Sequence, residues 1–229
     1  MNRAEFIDLV EGDAASLEVQ SSAGGPAGGL GGFGAAVVSL LVGLARIGLS
    51  TDVATSADAA ADALTRRHDA FAAPGGGAEV LARRLGRTIP IVYGADAVGG
   101  AAARWWKTRV NRNAKAPAFA AQLPGLAYDE LAGWGQGGDV TRQTMTLVLL
   151  RQEDEPAPTA ALFDAVAAAT DEVMASVVEV WAEGADDLGR LLDLALLGEL
   201  VSLHLATREG VDPGPVPAID DARSRPSPS

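Results

Sequence analysis

The stretch from Ile89 to Lys115 constrains this chain more than any other. Ile89, Ile91, Val92 and Tyr93 make a short apolar run rich in β-branched side chains, with Pro90 near its start and Gly94 at its end. A run this short and this apolar suits a strand buried on both faces of a parallel sheet. Val98, Ala101, Ala102, Trp105, Trp106 and Val110 follow at helical spacing, with Arg104, Lys107, Thr108 and Arg109 on the other face. A strand, a glycine turn and a helix in this order set the helix N-terminus at the carboxyl end of the strand, where open α/β sheets take ligands. Three more apolar runs, near 117–122, 145–150 and 173–180, alternate with helical stretches. The expected fold is α/β, a three-layer sandwich around a parallel sheet.

The flanking segments carry weaker signals. Residues 5–10 and 15–19 are two short apolar runs joined by Glu11-Gly12-Asp13, and Gly24 to Gly34 is glycine-rich. Gly29-x-Gly31-x-x-Gly34 matches a dinucleotide fingerprint as a string, but Ser21 to Gly28 stands where that motif needs a tight turn directly off a strand. The uncharged run from Ser21 to Ala45 has eight glycines and an amphipathic helix after it, so Ala35 to Leu49 is expected as a buried core helix and not a membrane span. Residues 52–72 form an amphipathic helix with Asp52 at its start and Val53, Ala57, Ala60, Leu64 and Phe71 inward. His68, among Arg66, Arg67 and Asp69, belongs to a solvated face. Gln136 to Asp139 is expected as a loop, Thr159 as a helix cap, and Leu188 to Thr207 as the last long helix. Trp105 and Trp106 are expected in core and interface packing.

Composition narrows the function. A net charge of −12 argues against nucleic acid as a partner, because phosphates would repel it. With no cysteine and two distant histidines, neither a disulfide framework nor a zinc site is expected, and no cofactor is assigned. The stretch Met1 to Asp8 lacks the apolar core of a signal peptide, so the expected compartment is the cytoplasm.

Four segments together resemble the C-terminal half of the bifunctional phosphoglucose/phosphomannose isomerases, which are double sugar-isomerase (SIS) proteins. They are Pro90 to Gly94; Arg104 to Lys107 with Asn111-Arg-Asn-Ala-Lys115 and Pro117 to Phe119; Leu131 to Trp134; and Leu197 to His204 with Gly210 to Pro213 and Ala218 to Asp220. The resemblance implies an SIS-like, flavodoxin-type sandwich over 89–223. Residues 1–20 would be the remnant of a first SIS subdomain, 21–88 linker helices, and 224–229 a disordered tail. It further implies aldose–ketose isomerisation of glucose 6-phosphate and mannose 6-phosphate to fructose 6-phosphate, a hexose phosphate as ligand, and a homo-oligomer with its site at a subunit boundary.

At the positions that matter most, the chain departs from the family. Isomerisation moves a proton between C1 and C2 and needs a carboxylate base, a ring-opening acid and a cation near the enediolate. The family's base is a glutamate between the two asparagines of its Asn-Glu-Asn-Ala-Lys motif, where this chain has Arg112. Tyr128 stands at the place of the ring-opening histidine, and Ala27 at that of the arginine. Arg223 stands where the family usually has a lysine and is the expected substrate-binding cation. A guanidinium stays protonated and cannot accept the proton. Glu130, or Asp129 beside it, is the fallback base. The expectation is a sugar-phosphate isomerase relative with lost or altered catalysis, or else a non-catalytic sugar-phosphate-binding or oligomerisation module.

Overall fold

The structure, a computed structural model, describes residues 30–48, 53–214 and 216. The readings for residues 1–20, the glycines before Leu30, Asp52, Ala27, Arg223 and the tail lie outside these. Three helices come first: α1 (Leu30–Arg46), α2 (Val53–Ala72) and α3 (Gly77–Leu85). Strand β1 (Ile89–Ala95) leads into α4 (Asp96–Arg109), which runs on as a π-helical turn over Val110–Ala114. Strand β2 (Phe119–Leu123) is followed by the short helices α5 (Leu126–Asp129), α6 (Leu131–Trp134) and α7 (Gly138–Thr144). Then come β3 (Met145–Gln152), α8 (Ala157–Thr170), β4 (Ser176–Ala182) and α9 (Asp187–Glu209).

The four strands pair in the order β2-β1-β3-β4, every pair parallel. Ile91 lies opposite Leu147 and Val92 opposite Val148, so the two faces of the sheet are apolar side by side. One face, with Val92, Val148, Val178 and Val180, packs on α3, α4 and α9 through Leu85, Trp106, Val110, Leu194 and Val201. On the other, Ile91, Tyr93, Leu147 and Leu149 meet Phe163 and Val166 of α8 and Leu126 of α5. This is the expected three-layer sandwich, because strands with both faces covered must be apolar on nearly every residue. The turn from β1 into α4 depends on Gly94, where an added Cβ would lie 2.1 Å from the carbonyl oxygen of Gly99.

Several local expectations need correction. Helix α1 is not a core helix: none of its described side chains is buried, and Leu40 is 62% exposed. Among the described residues it packs through Phe33, Val37, Val38 and Leu41 against Ala60, Leu188 and Leu192. The loop expected at Gln136–Asp139 gives way at Gly138 to α7, which Thr141 ties down by donating its hydroxyl to the carbonyl of Val173. Thr159 lies inside α8, which begins after Pro156 without a side-chain cap. The fourth strand starts at Ser176, since the amides of Val173 and Met174 still bond to Thr170 at the end of α8.

Candidate functional site

The carboxyl end of the sheet and the C-terminal end of α4 differ in charge. The crevice at the carboxyl ends of β1 and β3, where the strand order reverses, is the place that open α/β sheets favour. It encloses about 220 Å³ between Asp96, Ala97 and Val98 at the start of α4, Gln152 at the end of β3 with Asp154, Glu155 and Pro156 beyond it, and Asp187 and Arg190 on α9. Four carboxylates line it against one guanidinium. Arg190 is already paired, at 2.8 Å from Asp154 and 3.5 Å from Asp187. The amide of Gly189 in the first turn of α9 donates to the chain's own Asp186 carboxylate at 2.8 Å. A phosphate placed here would face like charge and find that helix terminus occupied.

The opposite end of α4 is basic and locked in shape. The helix closes through Val110–Ala114 as a π turn, an arrangement found often at functional sites. Lys115 then takes φ 53°, a left-handed conformation that a non-glycine residue adopts at a cost. Asn111 donates its amide to the Ala116 carbonyl at 2.8 Å, and Lys115 donates its ammonium to the Arg112 carbonyl. Asn113 points inward and donates to Ser202 Oγ at 2.8 Å and to Glu199 Oε1 at 3.3 Å. Arg109 Nε lies 2.5 Å from Glu199 Oε2, and its Nη2 donates to Glu199 Oε1 at 2.8 Å and to Asn113 Oδ1 at 3.1 Å. Ser202 in turn donates to the Glu199 carbonyl at 2.6 Å. Half-buried Arg112 sits on this turn between exposed Lys107 and exposed Lys115. Cations at a helix C-terminus are favoured by the macrodipole alone. The locked turn is what that general preference does not explain.

Near the carboxyl end of β1, Tyr93 is fully buried. Its hydroxyl donates to Glu130 Oε2 at 2.6 Å and accepts from Trp134 Nε1 at 3.1 Å. Burial, and then the carboxylate of Glu130, pushes the Tyr93 phenol well above its ordinary range. Glu130, the fallback base, therefore already serves as the acceptor for a buried phenol. Tyr128, on α5 two residues earlier, is 82% exposed.

Arg112 precedes β2 and Tyr128 follows it, so the two stand at opposite ends of a strand that rises roughly 3.3 Å per residue. The fold of one chain does not bring these two positions together. Ala27 and Arg223 lie outside the described residues. Reading the sequence missed the cluster of Arg109, Asn113, Glu199 and Ser202. The two halves of that cluster are about ninety positions apart. The nearest signal was Asn113 itself, an asparagine in the motif that turns out to be 2% exposed. Among the described residues, no group of three or more histidine or carboxylate side chains is placed to hold a metal, and no helix is long and apolar enough to cross a membrane.

Known proteins share this architecture. Residues 76–225 match the family described as bacterial phospho-glucose isomerase C-terminal SIS domain. Curated relatives from several organisms carry the name bifunctional phosphoglucose/phosphomannose isomerase. The protein of Caldicellulosiruptor bescii is 28% identical over 148 residues, 65% of this chain and 43% of that protein. The protein of Aquifex aeolicus is 29% identical over 140 residues, 61% of this chain and 43% of that protein. The chain thus spans less than half the length of these relatives. Among solved structures, a glucose-6-phosphate isomerase like protein from Thermus thermophilus superposes with a TM-score of 0.61 at 23% identity, covering 80% of this chain and 61% of the other. The C-terminal domain of glucosamine-fructose-6-phosphate aminotransferase from Francisella tularensis gives 0.56 at 16%, covering 80% and 55%. At these identities the structural matches show a shared fold.

Proposed function

We propose, for a chain that belongs to the bacterial phospho-glucose isomerase C-terminal SIS domain family, that it recognises a hexose phosphate and does not by itself interconvert aldose and ketose. The observation that carries this reading is Arg112, presented on a locked π turn at the place where the resemblance puts a glutamate base. A guanidinium offers a planar fork of donors suited to a phosphate or a ring of hydroxyls, and it cannot accept a proton from C2. Glu130 is already occupied as an acceptor for Tyr93. Tyr128, at the place of the ring-opening acid, carries a phenol whose reference value of ~10 makes it a poor acid or base at neutral pH. Recognition is thus supported by the basic turn, and the carboxylate that reaches this turn, Glu199, is already paired with Arg109.

Titration of the purified chain with glucose 6-phosphate and fructose 6-phosphate, followed by tryptophan fluorescence, tests recognition. Trp105 Nε1 donates to Ala195 and its ring stacks on Phe33 at 4.3 Å, so it reports on the α4–α9 contact that carries the turn. A coupled isomerase assay on the same sample tests turnover. Saturable binding without turnover is the expected pair of results; turnover by the chain alone would overturn the reading.

The proposed partner, besides the sugar phosphate, is a second copy of the chain. The specific observation is α1, uncharged from Leu30 to Ala45, with Leu40 62% and Val42 38% exposed. Apolar surface of this kind marks an interface or an aggregation liability.

A further inference from the structure

The polar cluster beneath Arg112 is expensive to maintain. Taking an arginine and a glutamate out of water often contributes no net stability compared with apolar side chains of the same volume. Here Arg109 is 3% exposed, Asn113 2% and Ser202 fully buried, in a layer where α4 and α9 otherwise meet through Trp106, Val110, Leu194 and Val201. The four side chains fasten one thing, the end of α4 and the π turn, to one stretch of α9. Apolar packing would hold the two helices together, but it tolerates small shifts. Directional bonds between buried groups do not, because each group left unpaired carries its full desolvation cost.

We infer that Arg109, Asn113, Glu199 and Ser202 are positioning residues that fix the π turn Val110–Ala114 and so set the place from which Arg112 meets an anionic ligand. This rests on the reading of Arg112 given under the proposed function. The cluster belongs to the second helix layer and need not touch ligand. Its role is to keep the Arg112 backbone in one conformation, so that less ordering entropy is lost when the guanidinium engages an anion.

The test compares the whole 229-residue chain with Ser202→Ala, Glu199→Gln and Arg112→Ala. Glu199→Gln leaves Arg109 buried opposite a neutral partner and can fail to fold, so Ser202→Ala, which keeps the ion pair, is the primary variant. Amide hydrogen exchange over residues 110–114 is expected to quicken by roughly tenfold in Ser202→Ala, which loses the bond from Asn113 and the bond to the Glu199 carbonyl, with β1 and β3 unchanged. The dissociation constant for glucose 6-phosphate is expected to weaken by a similar factor. In the Arg112→Ala background, Ser202→Ala should add nothing further, since the cluster acts through that residue.

Unchanged exchange at the turn in a folded Ser202→Ala protein would overturn the inference. So would a loss of affinity that adds in full on top of Arg112→Ala, because the cluster would then act elsewhere. A parent chain that binds no glucose 6-phosphate at millimolar concentration would sink the hexose-phosphate reading and the part assigned to Arg112. Exchange would still decide whether the cluster holds the turn.

Discussion

Gly198 of α9 lies directly against the indole of Trp106: an added Cβ would sit 2.5 Å from both Cδ1 and Nε1 of that ring. Trp106 is fully buried and donates its Nε1 hydrogen to the Leu194 carbonyl at 2.7 Å, so the ring has no room to move aside. This contact sets how closely α4 can approach α9, and with it the distance across which Arg109 and Glu199 pair.

Gly198→Ala decides between two opposed effects. Helix propensity alone favours alanine in a helix interior by about 1 kcal/mol. Overpacking a closed contact costs typically about 1–3 kcal/mol. Since Trp106 is held on all sides, packing should win, and urea unfolding should show a net loss of stability. A variant as stable as the parent would mean that the two helices can part at little cost.

Tyr93→Phe should destabilise by about 1.5–3 kcal/mol, the usual contribution of a hydrogen bond to a charged group. The folded chain holds the Tyr93 phenol above its ordinary value of 10.0, so the folded state keeps a proton that the unfolded state releases. Stability from this residue is therefore complete below about pH 10 and is lost as pH rises from there toward the folded value. Thermal melts at pH 8 and pH 10.5 should show a smaller alkaline decline in Tyr93→Phe than in the parent. Equal declines would remove Tyr93 as the source.

No appreciable conversion of glucose 6-phosphate or mannose 6-phosphate to fructose 6-phosphate is expected. Acid–base assistance is typically worth about 10²–10⁴-fold per group, and the resemblance puts Arg112 and Tyr128 where the family has its base and its acid. The combined change Ala27→Arg, Arg112→Glu and Tyr128→His should not restore turnover, because Arg112 and Tyr128 stand at opposite ends of β2 in one chain. A coupled assay giving about 1 s⁻¹, the low end of typical enzymes, would contradict this and make Glu130→Gln the next variant.

Self-association should depend on α1. Leu40→Lys adds a charge to an apolar face at a position 62% exposed, where folding costs little. Light scattering is expected to give a larger particle for the parent than for this variant. A parent that stays monomeric across a wide range of concentration would rule the interface out.

The resemblance of residues 90–94, 104–119, 131–134, 197–204, 210–213 and 218–220 to an isomerase family was legible because motif order survives in one dimension. The candidate site was only half legible. Arg112 could be seen to replace a base, yet nothing local to it announced a π turn or a left-handed Lys115. Both depend on bonds from Asn113 to α9, across a separation that periodicity cannot register. Likewise, Glu130 reads as an available base in the sequence, while in the fold Tyr93, thirty-seven positions away, donates to it.

By itself the sequence determined the parallel sheet and its two central strands, β1 and β3, with both faces covered, because short apolar runs without polar alternation suit burial between helix layers. Only the tertiary structure decided that α1 would pack on Ala60, Leu188 and Leu192, that Gly198 would meet Trp106, and that Arg109 would pair with Glu199 between α4 and α9. Apolarity says that a segment seeks cover, and it does not say which neighbour arrives. Which distant side chains meet is settled by how closely packed helices seat against one sheet, and that is information no single segment carries.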